Sequence, residues 1–184
     1  MDLMLEWALR QDQPAVIRYP KCECPKEELE FASEIITGRG VLIKNSKKSR
    51  VLIVCIGGIY REAREAANLL AYKGIFTDIY NMRFAKPIDE FYFLEVAEKY
   101  SDIVFVEDGA ETGGVSAYLS GLLKHKNTEI LAFSDMFFPQ GSRQEIFEAA
   151  GMSPEHIAQS AKTLLSGVNT AQNERRSSSG GFEA

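Results

Sequence analysis

Four short apolar or alternating runs, at 51–56, 75–80, 103–106 and 130–133, recur about every 26 residues, the interval of successive strand-plus-helix units. Runs as continuous as Val51-Leu52-Ile53-Val54-Cys55-Ile56 suit strands buried on both faces of a parallel sheet. The stretches between them carry helical periodicity. Ala63, Ala66, Ala67 and Leu70 fall on one helix face, as do Val115, Tyr118, Leu119 and Leu122, while Phe93, Leu94, Ala97 and Tyr100 form a shorter stripe. Gly74 is placed to end the first of these helices. This pattern predicts an α/β fold with helices on both faces of the sheet.

A further apolar stretch, 35–43, precedes these units. Only about seven polar residues separate it from the run at 51, too few for a parallel crossover, which needs a dozen or more. The extra strand should therefore be antiparallel to its neighbour, or not adjacent to it. Ser153-Pro154 reads as a cap followed by a favoured first helical residue, and Ile157, Ala161, Leu164 and Leu165 give a closing helix. The first twenty residues differ in kind: a short helix over 1–9, then a strand at 14–17 ending in Arg18-Tyr19-Pro20. A lone helix and strand have no sheet of their own to join. The expected organisation is a remnant of a preceding domain at 1–20, a linker at 21–34, the main domain at 35–168 and a polar, Ser/Gly-rich, disordered tail at 169–184.

Composition narrows the function classes. The 184 residues carry a formal charge of −5, and no long basic stretch stands out, so there is no electrostatic footprint for nucleic acid. The longest apolar run falls far short of the roughly 20 residues a membrane-spanning helix needs. Asp2 and Glu6 without a basic leader speak against a secretory signal, so a reducing cytoplasm is the expected compartment. Three cysteines make no disulfide framework; Cys55 reads as a core residue, and Cys22 with Cys24 as an exposed, oxidisable pair. As a metal site that pair would need two more ligands, with only His125 and His156 available, so no metal site is expected.

Several loops carry polar residues at strand ends. Gly57-Gly58 follows the first long strand but lacks the three-glycine dinucleotide spacing, and reads as a tight turn with close helix packing. Glu107 and Asp108 have no basic partner nearby in sequence and read as acids of a solvated loop, with Thr112 as the cap of the next helix. Neither histidine is assigned a catalytic role. Arg18 is the best single candidate for chemistry, since an arginine at a strand end can grip a phosphate through paired charge-assisted bonds. On local sequence alone it reads as a surface arginine of a linker.

The most specific string is Arg83-Phe84-Ala85-Lys86-Pro87-Ile88-Asp89-Glu90, where an extended segment hands over to a helix. Pro87 keeps Lys86 extended, and Asp89 and Glu90 supply negative charge to a helix N-terminus. The string resembles the Arg-Phe-x-Lys-Pro-Leu-Asp-Glu segment of the 1-deoxy-D-xylulose 5-phosphate synthases, in their C-terminal, transketolase-like domain. It matches at every named position once Ile88 is allowed for leucine. Further likenesses follow in the family's order. Met4-Leu5-Glu6-Trp7-Ala8-Leu9 with Arg18-Tyr19-Pro20 resembles the end of the pyrimidine-binding domain. Glu107-Asp108-Gly109 with Gly113-Gly114, and Ser134-Asp135-Met136-Phe137 with Gln140-Gly141, resemble later segments. Two departures stand out: Lys21-Cys22 replaces an Arg-Gly pair, and Val115-Ser116 replaces a Phe-Gly pair.

The resemblance implies a three-layer α/β/α domain with a five-stranded mixed sheet, four strands parallel and one antiparallel, the antiparallel one at 35–43. It implies a thiamine-diphosphate- and Mg2+-dependent transferase joining pyruvate to glyceraldehyde 3-phosphate in isoprenoid precursor synthesis. It also implies that the cofactor motifs lie in upstream domains, so that this chain binds no cofactor itself and is silent alone. Arg18, with Lys21 as a second basic residue, matches the position that holds the aldehyde's phosphate. Arg83, Lys86, Asp89 and Glu107 are expected at domain or subunit contacts, within a homodimer of the complete enzyme. Other readings are a non-catalytic subunit docking a thiamine-dependent partner, or the equivalent domain of a transketolase or 2-oxoacid dehydrogenase.

Overall fold

The computed structural model describes residues 2–20, 31, 33–44 and 49–167. The elements run α1 (Asp2–Leu9), β1 (Val41–Ile43), β2 (Val51–Ile56), α2 (Tyr60–Tyr72), β3 (Thr77–Met82), α3 (Glu90–Ala97), β4 (Asp102–Ala110), α4 (Val115–Leu122), β5 (Asn127–Phe133), α5 (Arg143–Ala149) and α6 (Pro154–Leu165). The five strands form one sheet in the order β1-β3-β2-β4-β5. The last four are parallel to one another, and β1 joins β3 antiparallel, with Val41 opposite Asn81 and Ile43 opposite Ile79. The short loop before β2 thus has the consequence expected of it: β1 is antiparallel and does not neighbour β2.

Side-chain alternation along the central strand sorts the core into two layers. Val51, Ile53 and Cys55 of β2 face α2 and α6, meeting Ala63, Ala66, Ala67 and Leu70 from one and Ile157, Ala158, Ala161 and Leu164 from the other. Leu52, Val54 and Ile56 face α3 and α4, meeting Phe93, Val96, Ala97 and Leu119. The fold is therefore the expected three-layer sandwich. The alanines of α2 leave room for α6 to pack closely against it.

Helix ends follow local chemistry. Gly74, at φ +75°, closes α2 with its own N–H on Ala71 O and that of Ile75 on Leu70 O at 3.0 Å. That closure consumes Ile75 and delays β3, which starts at Thr77 rather than at 75. The Asp89 side chain caps α3 by accepting the Tyr92 N–H at 3.0 Å. The Lys86–Pro87 peptide bond is cis.

Two expectations fail. No strand forms at 14–17: the segment is extended but unpaired, and Val16 is 94% exposed. A strand exists only by pairing, and among the described residues no strand lies beside it. Conversely, α5 had not been foreseen. Its signal is the capping box Ser142-x-x-Glu145, in which Ser142 Oγ accepts the Glu145 N–H and Glu145 accepts the Ser142 N–H. Those two donations from Ser142, backbone and hydroxyl, hold the Glu145 carboxyl below the usual carboxylate range. Lys21, Cys22, Cys24, most of the linker and the tail at 169–184 lie outside the described residues.

Candidate functional site at the carboxyl edge of the sheet

The parallel strands β2 and β4 end side by side, Ile56 opposite Glu107. This is the edge at which open α/β sheets place ligands. The β2–α2 turn crosses it through Gly57 and Gly58. Gly57 has φ +84°, and a Cβ there would sit 2.8 Å from Arg18 Nη1, so the glycine allows both the turn and the arginine's approach. Pro20 lies over Gly58 from the same side, where a Cβ would come within 3.2 Å of it.

Arg18 reaches this edge from the other end of the sequence. Its Nη2 donates to the backbone oxygen of Asp108 at 2.6 Å and lies 3.3 Å from Asp108 Oδ1. The same carboxylate accepts the Gly58 N–H through Oδ2 at 3.3 Å. Arg143, from the first turn of α5, stands 3.8 Å from that oxygen, donates to Gly58 O and pairs with Glu62 at 3.3 Å. Its guanidinium also lies over the Phe147 ring, 4.1 Å from the centroid. Asp108 thus ties together the N-terminal segment, the glycine turn and α5. Beside this cluster opens a cleft of about 720 Å³, lined by Arg18, Tyr60, Arg64, Met82, Arg83 and Glu107 among others.

The neighbouring carboxylate behaves differently. Glu107 is 6% exposed and points under the sheet edge into the N-terminus of α4. It accepts the N–H groups of Val115 and Ser116, at 3.0 and 2.8 Å, and the Ser116 hydroxyl. The N-cap position of α4 is Gly114, which offers no side chain, and not Thr112. Glu107 is therefore no acid of a solvated loop: it caps a helix from an adjacent strand. Close approach is possible because a Cβ at Gly114 would lie 2.6 Å from Glu107 Oε2. Ser116, at one of the two departures from the family pattern, adds its hydroxyl to that cap.

The remaining candidates are dispersed. Arg83 lines the cleft and spends its guanidinium on the end of the expected linker, bonding Phe31 O at 2.8 Å and the Ser33 and Glu34 carbonyls at 3.1 Å each. Burial lowers its pKa. Asp89 pairs with Arg39 at 2.8 Å, and its N–H donates to Gly38 O, tying α3 to the approach to β1. The Tyr92 N–H and Arg39 together lower the Asp89 pKa. Lys86 is exposed. His125 is exposed beyond α4, and His156 Nδ1 lies 2.8 Å from Ser153 Oγ, so neither histidine reaches the cluster. Sequence reading found Arg18 but missed its partners. Asp108 was set aside for want of a nearby basic residue, and Arg143 was hidden with the helix that carries it. Among the described residues no group of three or more His, Cys, Asp or Glu is arranged to hold a metal ion, and no helix is long and apolar enough to cross a membrane.

Comparison with known proteins fits this architecture. The family model of the transketolase C-terminal domain matches residues 40–157. The chain belongs to that family. Curated relatives named 1-deoxy-D-xylulose-5-phosphate synthase include that of Treponema pallidum (strain Nichols), 50% identical over 169 residues, covering 90% of this chain and 27% of the relative. That of Clostridium botulinum (strain Alaska E43) is 31% identical over 159 residues, covering 84% of this chain and 25% of the relative. The transketolase C-terminal domain described here thus spans about a quarter of the length of these relatives. Among solved structures, a split-gene transketolase described as an inactive β4 tetramer superposes with a TM-score of 0.65 at 24% identity, covering 80% of this chain and 47% of that one. Transketolase from Leishmania mexicana gives 0.52 at 14% identity, covering 71% of this chain and 18% of that one. Both support the fold.

Proposed function

We propose that this chain is the C-terminal domain, with the end of the preceding domain, of a thiamine-diphosphate-dependent 1-deoxy-D-xylulose 5-phosphate synthase. The observation that carries the reading is identity of 50% to a relative of that name along 90% of the chain. In the complete enzyme the bound cofactor supplies the decarboxylation of pyruvate and the transfer of its two-carbon unit to glyceraldehyde 3-phosphate. The described residues of this chain do not fit a metal–diphosphate site, and no step is assigned to them through the cofactor. What they do is narrower. The sheet forms a scaffold, Arg83 fastens the end of the linker, and Arg18 is presented at the sheet edge to hold the aldehyde's phosphate, with Lys21 three positions on. The complete enzyme is a cytoplasmic homodimer in this reading, and the isolated chain is inactive.

A second arrangement has its own support. A neighbour in fold is described as a split-gene transketolase, and this chain covers 47% of it. Here the chain would be a subunit docking onto a partner that carries the thiamine site.

The test is reconstitution. The chain alone should not turn over pyruvate and glyceraldehyde 3-phosphate, whereas joined to or mixed with the upstream domains it should. In that complete enzyme Arg18→Ala should raise KM for glyceraldehyde 3-phosphate by about 10- to 100-fold, the worth of a charge-assisted pair, with KM for pyruvate unchanged. Turnover by the isolated chain, or equal damage to both substrates, would overturn the assignment.

A further inference from the structure

An arginine on an exposed, unpaired segment is a poor phosphate ligand unless something holds it. Arg18 is 65% exposed at its side chain and sits in a stretch without secondary structure. A free arginine carries several rotatable bonds, and freezing them when substrate binds costs affinity. The structure supplies the restraint. Both of the shorter contacts of Arg18 go from Nη2 to one residue, to the backbone oxygen and to the carboxylate of Asp108. The guanidinium has five N–H donors in a rigid fork. With Nη2 on Asp108 and Nη1 close over Gly57, a guanidinium on a side chain 65% exposed still has further N–H donors for a ligand.

Asp108 is itself restrained. Its carboxylate is 17% exposed, accepts the Gly58 N–H and lies against Arg143. Arg143 is in turn held by Gly58 O, by Glu62 and by the Phe147 ring. Two guanidinium groups and one amide thus surround a single carboxylate. That arrangement offsets the charge Asp108 would otherwise set against an incoming phosphate. It also roots an exposed arginine in the rigid ends of β2, β4 and α5.

We propose that Asp108 is the positioning residue for Arg18, and that Arg143 serves the same end by holding Asp108. The inference rests on the phosphate role assigned to Arg18 above and extends it to two residues that touch no substrate. Asp108 aims the guanidinium across the Gly57-Gly58 turn; Arg143 keeps Asp108 from collapsing onto the substrate side.

The experiment is a double-mutant cycle in the complete enzyme, read as KM and kcat for each substrate. Asp108→Ala should raise KM for glyceraldehyde 3-phosphate about tenfold, with kcat and KM for pyruvate within about twofold. Arg143→Gln should raise the same KM by about two- to threefold. Added to Arg18→Ala, Asp108→Ala should cost nothing more, because the arginine it aims is gone. Asp108→Glu should recover part of the loss, and unphosphorylated glyceraldehyde should be blind to all of these changes. Should Asp108→Ala fail to fold, Asp108→Asn keeps the shape, removes the charge, and should show the same substrate split. If Arg18→Ala raises the aldehyde KM while neither Asp108 variant does, the positioning role is overturned and the reading of Arg18 stands. Effects of the two residues that multiply in the double variant overturn it equally. If Arg18→Ala itself leaves that KM unchanged, the phosphate reading falls and this inference with it.

Discussion

The N-terminal segment and the sheet are built from the same apolar residues and treat them in opposite ways. Leu52, Ile53 and Val54 of β2 are fully buried, whereas Leu9 is 78% and Val16 94% exposed. No residue of α1 is buried. Its firmest hold on the domain is Trp7, edge-on to Phe84 at 4.9 Å, and farther along the segment comes the grip of Arg18 on Asp108. Burial depends on partners. The strands find theirs within the chain. The segment at 2–20 offers an apolar surface with few takers among the described residues.

The largest effect expected from this contrast is on stability. Phe105→Ala, in the centre of the α3–α4 layer, should destabilise the chain by about 3–5 kcal/mol, the usual cost of emptying a packed aromatic site. Leu9→Ala and Val16→Ala should change it by no more than about 0.5 kcal/mol, as exposed substitutions do. Urea unfolding midpoints at constant m value measure all three. The contrast breaks if Val16→Ala costs as much as a core truncation in the isolated chain. It sharpens if that substitution is neutral alone and costly once the upstream domains are joined.

A finer version of the same contrast lies within one dipeptide. Both belong to β4, but Glu107 serves the packed unit and Asp108 holds the segment laid over it. Glu107→Ala strips the acceptor from two buried backbone N–H groups and a hydroxyl, and should cost about 2–3 kcal/mol. Asp108→Asn touches partly exposed pairs and should cost less than about 1 kcal/mol. Thermal and urea unfolding of the two variants side by side give the comparison. An Asp108 variant as unstable as the Glu107 one would make both residues structural, and the sheet edge would lose its division of labour.

How much of this was legible in the sequence follows the range of the interactions. The strands at 51–56 and 103–106 reappear in β2 and β4 because a doubly buried strand announces itself by its own composition, and the run at 130–133 reappears in the half-buried edge strand β5. Loop length alone excluded β1 as a parallel neighbour of β2, the resemblance gave its antiparallel direction, and the strand covers only Val41–Ile43 of the expected 35–43. Short-range chemistry misread in detail is also traceable: β3 starts late because α2 closes through Ile75, and α5 could have been found from Ser142-x-x-Glu145. The strand at 14–17 was misread because alternation and composition describe what a strand needs, not whether a neighbour exists. The site was the least legible part. Arg18 and Asp108 lie 90 positions apart, and Arg143 reaches Gly58 across 85. No local pattern encodes such a meeting. Its position after an apolar run and the resemblance both pointed to Arg18, but nothing singled out Asp108 as its anchor.

The smallest expected effect is a titration that should belong to the packed unit alone. Tyr80 is 1% exposed on β3, and its hydroxyl accepts the Gly40 N–H at 2.8 Å. Burial pushes its pKa up to about 12, against the lowering effect of that N–H. Burial and the Asp78 carboxylate at 2.7 Å push Tyr100 up as well. A phenol whose folded pKa lies above its unfolded value of about 10 favours the folded state below pH 10, and that contribution is lost as pH rises from 10 towards 12. Unfolding free energy should therefore fall across that window, with both phenols contributing. Tyr80→Phe should flatten part of the fall, leaving the share due to Tyr100. The orphaned Gly40 N–H will lower stability at every pH, so the slope between pH 9 and 11.5 decides, not the absolute value. Val16→Ala should leave the slope as it is, because the Tyr80 hydroxyl meets the Gly40 N–H and the Tyr100 hydroxyl meets Asp78, both within the packed unit. An alkaline slope unchanged by Tyr80→Phe would mean that the ring ionises in the folded chain as readily as in the unfolded one. The packed unit would then be as open to water at β3 as the segment laid across its edge.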